Sequence, residues 1–234
     1  MAVRRRPVST SKDEASEGSS TPRVSRSGSV NRGWGSPASS SSTTEAKREG
    51  VRAPYLAVSK EKQIFHFLED APSVRFSRHY VGGRYQNCPE SLGVLDGTDL
   101  KCPLCENGHV PNPAYMINVI NVSDSSETDA RKWSTRTFTF GKEVHDQLLS
   151  FLEEEKYQPI DQEKWYWHVY QVGGGNERKS TKLMPLKARD IEDDYGIIPL
   201  SEGELDECAN TLYDEKSIFT PYVSVLAKLA ATLN

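Results

Sequence analysis

The chain has 234 residues, 36% of them hydrophobic, and a formal net charge of −4, which allows one or two folded domains with a real core. No apolar run reaches transmembrane length. The basic start "MAVRRRPVST" leads into serines rather than an apolar stretch, which argues against a secretory signal and for a cytoplasmic location. Four cysteines in such a chain do not suggest a disulfide framework, so a close-set Cys-x-x-Cys reads as metal or redox chemistry.

Residues 1–53 hold thirteen serines, three prolines and ten Lys+Arg against five Asp+Glu. Ordering so polar a segment costs more entropy than its burial returns, so it reads as a disordered tail. Regular apolar residues begin near Pro54. "QIFHFLED" (63–70) and "SVRFSRHYV" (73–81) read as two strands joined by a short turn at Asp70-Ala71-Pro72. A glycine- and cysteine-rich excursion follows, and then a buried-type strand, "AYMINVINV" (114–122).

"RKWSTRTFTF" (131–140) alternates strictly. Phe138 and Phe140 mark its core side, which leaves Trp133 with Thr135, Thr137 and Thr139 on a face expected to meet solvent. "GKEVHDQLLSFLEEEK" (141–156) is helical, with Val144, Leu148, Phe151 and Leu152 on one face. "KWYWHVYQV" (164–172) and "KSTKLMPLK" (179–187) form a hairpin, and helical pieces follow from Ser201. In the last of them Phe219, Tyr222, Leu226, Leu229 and Leu233 make one stripe, suited either to packing on the body or to docking a partner or a second copy. The expected class is mainly β, an OB-fold-like Greek-key barrel over 54–189 with an inserted zinc subdomain at about 79–113, followed by an acidic and helical region over 190–234.

Cys102-Pro-Leu-Cys105 is a tight turn whose two thiolates can face one ion. Cys88 lies upstream in another turn, and His79, at the end of a predicted strand, is the favoured fourth ligand, with His109 as the alternative. The expected cofactor is one structural Zn2+, because no motif of a catalytic zinc site occurs and the excursion has too few apolar residues to fold itself. An enzyme is not expected.

Cations and aromatics interleave around this loop: Arg75, Arg78 and Arg84 with Tyr80 and Tyr85, then Arg131, Lys132 and Arg136 with Trp133, then Tyr166 and Tyr170 opposite Lys179 and Lys182. Such sets bind single-stranded nucleic acid, cations following phosphates and rings stacking on bases. Residues 190–215 carry ten Asp+Glu and no Lys or Arg. They are expected to occupy the cationic cleft when the nucleic acid is absent.

From Gln63 to Asp194 the chain resembles the single-stranded DNA-binding proteins of tailed phages, a family that includes the T-even phage helix-destabilising protein. The carriers are "FLEDAPSVRFSRHYV", "CPLCENGHVPNPAYMINVINV", "GKEVHDQLLSFL", "WYWHVYQVGGG" and "KLMPLKARDIEDDYG". The resemblance implies an OB-fold with an inserted zinc subdomain, ligands His79, Cys88, Cys102 and Cys105, and a DNA cleft between the two. It also implies self-association on DNA through a basic arm, and recruitment of replication or recombination proteins through 190–234. The competing expectations are a zinc-ribbon factor that reads duplex DNA for transcription or recombination, and a single-stranded RNA-binding protein.

Overall fold

A computed structural model describes residues 53–97, 99–123, 135–174 and 179–233. The Ser-rich tail up to residue 52, the segment carrying Arg131, Lys132 and Trp133, and the tip of the last hairpin lie outside the described residues.

Seven strands form one sheet: β1 (Gln63–Phe67), β2 (Val74–Val81), β3 (Arg84–Asn87), β4 (Asn112–Asn121), β5 (Thr135–Gly141), β6 (Trp165–Val172) and β7 (Ser180–Lys187). Their order is β3-β2-β4-β1-β6-β7, with β5 on the other edge of β4, and every strand pair is antiparallel. The bend after β1 does not fold β2 back onto it. Instead β1 pairs with the end of β4 at Val119–Asn121, and β2 pairs with its beginning at Asn112–Met116. The two strands therefore lie end to end along one edge of β4. In the break between them the Glu69 carboxylate accepts from the Asn118 backbone N–H and from Asn118 Nδ2, both at 2.8 Å. A buried polar strand group is thus satisfied where no strand can reach it.

The alternation of side chains sends two apolar sets to opposite faces. One face gathers Phe65, Phe67, Ile117, Val119, Phe138, Phe140, Trp167 and Val169, under Val144 and Leu148 of helix α3 (Lys142–Leu152, the third helix in the chain). Segment 53–59 crosses from β5 to β6 and completes this side. Leu56 N–H donates to Thr137 O at 2.8 Å, and Gln171 N–H donates to Ser59 O at 2.7 Å. Among the described residues β5 and β7 do not pair with each other.

The other face carries Ile64, Ile120, Val122 and Tyr166, and the C-terminal region covers it. Ile191 of α4 (Ala188–Tyr195), Leu200 and Cys208 of α5 (Glu202–Ala209) fill that layer. Side-chain bonds to the backbone pin it. Leu200 N–H donates to Tyr166 Oη at 2.8 Å, Thr135 Oγ1 donates to Cys208 O at 3.2 Å, and Asn118 exchanges two bonds with the Tyr213 backbone at 2.9 and 3.0 Å. Residues 190–215 therefore lie against the sheet with Ile191, Leu200 and Cys208 inward. This corrects the expected solvent face of β5. Phe138 and Phe140 are inside as expected, but Thr135 and Thr137 are buried too, because residues 208–211 and 53–55 cover them. No helix among the described residues is long and apolar enough to cross a membrane.

His66 is buried at the junction of β1, β4 and β6, where its Nδ1–H donates to Trp165 O at 2.9 Å. Burial holds its pKa down to about 4, outweighing the backbone bonds at Trp165 and Asp161 that raise it. A histidine kept neutral in the fold but free to protonate when unfolded makes stability fall with pH between about 6.5 and 4. Urea unfolding should show up to about 3 kcal/mol lost over that window on account of His66. His66→Gln should flatten that dependence.

Candidate metal centre and the groove beside it

The excursion between β2 and β4 is built of tight turns. Gly82 and Gly83, both with positive φ, make the two-residue turn that pairs Val81 with Arg84 and Tyr80 with Tyr85. Cys88 follows β3 and is the N-cap of helix α1 (Pro89–Asp96), and Cys102 is the N-cap of the short helix α2 (Pro103–Glu106). In both, proline at the first helical position fixes the turn and surrenders an N–H that would have no partner anyway. Backbone N–H groups at Ser91 and Cys105 face the sulfurs of Cys88 and Cys102.

These turns bring together His79, Cys88, Cys102 and Cys105, whose ligand atoms all lie within 4.8 Å of one another. His79 Nε2 is 3.3 Å from Cys102 Sγ and 3.5 Å from Cys105 Sγ, and Cys88 Sγ is 3.7 Å from Cys105 Sγ. A tetrahedral site with metal–sulfur bonds of about 2.3 Å and metal–nitrogen bonds of about 2.0–2.1 Å has edges of about 3.8 Å and about 3.6 Å. The observed spacings fit that frame, so the four residues suit a single zinc-type ion. Cys208, in α5 among the aliphatic set around Tyr166, takes no part.

The electrostatics show what a cation would change. With the thiols alone, only one ionises comfortably. A hydrogen bond from Cys102 lowers the Cys88 thiol to about 5. That bond and burial push Cys102 up, and burial together with the Cys88 charge pushes Cys105 up to about 12. A divalent ion held by these residues would relieve that conflict, displacing the protons and taking the thiols as thiolates.

His109 is not a member of the set. Its Nδ1 is 3.1 Å from His79 Nδ1, on the side of the ring away from the sulfurs. A ligand bound through Nε2 carries its proton on Nδ1, and His109 is placed to accept it, which fixes the tautomer and the ring plane.

A groove of about 1050 Å³ runs along this excursion. Arg78, Tyr80 and Tyr85 line one side, Tyr55 and segment 56–58 also line it, and Lys142, Lys179 and Glu143 contribute charge of both signs, Lys142 being paired with Asp146. Tyr55, Tyr80 and Tyr85 are each more than half exposed. The Arg78 guanidinium sits 3.9 Å over the Tyr85 ring, whose centroid is 5.0 Å from that of Tyr80. Gly141 leaves room for that guanidinium, since a Cβ there would come within 3.3 Å of Arg78 Nη2.

The structure thus gathers Arg78, Tyr80, Tyr85 and Lys179 of the expected nucleic-acid set, with Arg84 exposed at the hairpin tip. It does not gather the rest. Tyr166 is wholly buried beneath Leu200, and Arg75 is buried with its guanidinium 5.4 Å from the Tyr115 ring. Tyr170 is half-buried on the Tyr166 side of β6, where Lys62 Nζ lies 5.6 Å from its ring. Lys182 faces Glu143 at 3.8 Å, and Arg136 is half-buried in β5. Arg131, Lys132 and Trp133 lie outside the described residues. Residues 190–215 do not line the groove; they lie on the sheet face around Tyr166 instead, because that is where Ile191, Leu200 and Cys208 find apolar partners. Tyr55 and Lys142 are additions that the sequence reading did not single out, since neither belongs to a cluster of cations and aromatics.

Comparison with protein-family models, curated proteins and solved structures gives no match.

Two variants separate the two histidines. His79→Ala should lose most bound metal in elemental analysis of the purified chain. His109→Ala should keep it at full stoichiometry but bind it about 10–100-fold more weakly in a chelator competition.

Proposed function

We propose that this chain is a sequence-independent single-stranded DNA-binding protein whose groove wall is held by one structural zinc ion. The observation that carries the reading is the groove itself. Tyr55, Tyr80 and Tyr85 are exposed there beside Arg78, which lies over one face of Tyr85, and Lys179. Unpaired bases stack on such rings whatever their identity, and the cations follow the phosphates. Duplex DNA offers no free base faces, and a major-groove reader would need a basic helix. Helix α3 instead places Glu143 and Asp146 on its exposed side, Asp146 bound to Lys142.

The connectivity supports an OB-like barrel as the scaffold. β1 and β2 act as one broken first strand, followed by β4, β5, helix α3, and the β6–β7 hairpin. β1 touches both β4 and β6, the arrangement of a five-stranded Greek key. Segment 53–59 spans the gap that strand pairing leaves. The metal excursion is inserted between the first and second barrel strands, and the groove lies between it and the barrel. A zinc ion with four protein ligands has no open position, so its role is to fold the excursion. The outward acidic residues of 190–215 are the proposed contact for replication or recombination proteins.

Fluorescence anisotropy with labelled poly-dT, duplex DNA and single-stranded RNA at two salt concentrations tests the reading. Poly-dT should bind far better than duplex, with an affinity that falls as salt rises. Tyr80→Ala and Tyr85→Ala should each cost about 1–3 kcal/mol of affinity with little change in unfolding, whereas Tyr166→Ala should lower stability. Equal affinity for duplex would reject the single-strand reading, and a clear preference for RNA would reassign the ligand.

A further inference from the structure

The metal cluster has a cover that comes from the far end of the chain. Helix α6 (Val223–Ala231) lays Leu226, Leu229 and Ala230 against Cys88, Cys102, Leu104 and Cys105. Leu226 is wholly buried there. Two asparagines of the excursion pin the segment. Asn87 Nδ2 donates to Phe219 O at 2.8 Å, ahead of the helix, and Asn107 Nδ2 donates to Ala230 O at 3.1 Å, at its end.

Both partners in this contact are short elements that gain order from packing. A nine-residue helix is marginal in water, so α6 owes its helicity to docking. The surface it docks on is a set of short turns around His79, Cys88, Cys102 and Cys105, which one bound ion would tie together. Each of two marginal elements that bury the same surface stabilises the other, and such a linkage is reciprocal.

We propose that α6 is the lid of the metal centre: metal binding docks the helix, and the docked helix retains the metal. The state of the centre is thereby communicated to residues more than a hundred positions downstream. The C-terminal segment, with exposed Phe219, Tyr222 and Val225, is displayed in fixed form only while the ion is bound. The inference rests on the reading of the four ligands as a metal site.

The test uses the full zinc-loaded chain and two independent readouts. The first is the rate of zinc transfer to a chelating dye. Leu226→Asp, which places a carboxylate in the apolar contact, should speed transfer roughly tenfold or more. Val225→Asp, on the exposed side of the same helix, should leave the rate within about twofold of wild type. The second readout is hydrogen exchange of the unmodified protein with and without zinc, which does not depend on any variant folding. Amides of 223–231 should lose most of their protection on zinc removal, while those of β6 keep theirs. Unchanged transfer in a folded Leu226→Asp chain, or unchanged protection of α6 without zinc, would overturn the lid. A wild-type chain that binds no zinc would overturn the metal reading and the lid together.

Discussion

Three thiols and an imidazole converge in one corner, in a spacing that suits a single zinc-type ion. That convergence is the constraint around which the excursion, the tyrosine hairpin and the C-terminal helix are arranged. Cys88, Cys102 and Cys105 are drawn together by two Cys-Pro turns, and His79 meets them from the end of β2. Apolar contacts anchor this region on two sides: Leu92 and Leu95 pack against Val74, Phe76 and Met116, and Val81 and Leu104 meet the leucines and alanine lent by α6. Between them the four ligand residues form the corner that a bound ion would tie together. The tyrosine pair rides on the same hairpin that carries His79, so the groove wall and the candidate metal corner share one element.

The rest of the molecule is organised around β4. Two strands share one of its edges, β5 takes the other, and Asn118 at its middle ties the break on one side to the C-terminal segment on the other. The sheet is thus buried on both faces. The aromatic face meets α3 and segment 53–59, and the aliphatic face meets α4, Leu200 and α5. Burial on both faces confines the nucleic-acid surface proposed here to the rim beside the excursion.

Much of this was legible in the sequence. Composition and alternation located β1, β2, β4, β5 and the β6–β7 hairpin and set Phe138 and Phe140 inward, while β3 lay unread inside the excursion; the spacing singled out the residues that the fold brings together as a candidate metal site. What was not legible depends on contacts remote in sequence. "WYW" says that Trp167 and Tyr166 point oppositely, but not that the Tyr166 side is also covered, because the cover is an acidic stretch that composition reads as solvated. Ile191, Leu200 and Cys208, helped by Ile197 and Leu205, do the burying among its charges. Arg75 failed as a surface cation for a related reason: its neighbour across the pair is Tyr115, over whose ring the guanidinium lies. Spacing could nominate both His79 and His109, but only the ring geometry shows that one faces the sulfurs and the other faces its partner's far nitrogen.

The central claim is that a metal-ordered corner shapes a groove for single strands. It is tested most directly by measuring poly-dT affinity on one preparation as isolated, after zinc is stripped under reducing conditions, and after zinc is restored. The account predicts a loss of about tenfold or more on stripping, equal to about 1.4 kcal/mol or more, and full recovery on reloading. Affinity that is indifferent to the metal would contradict it.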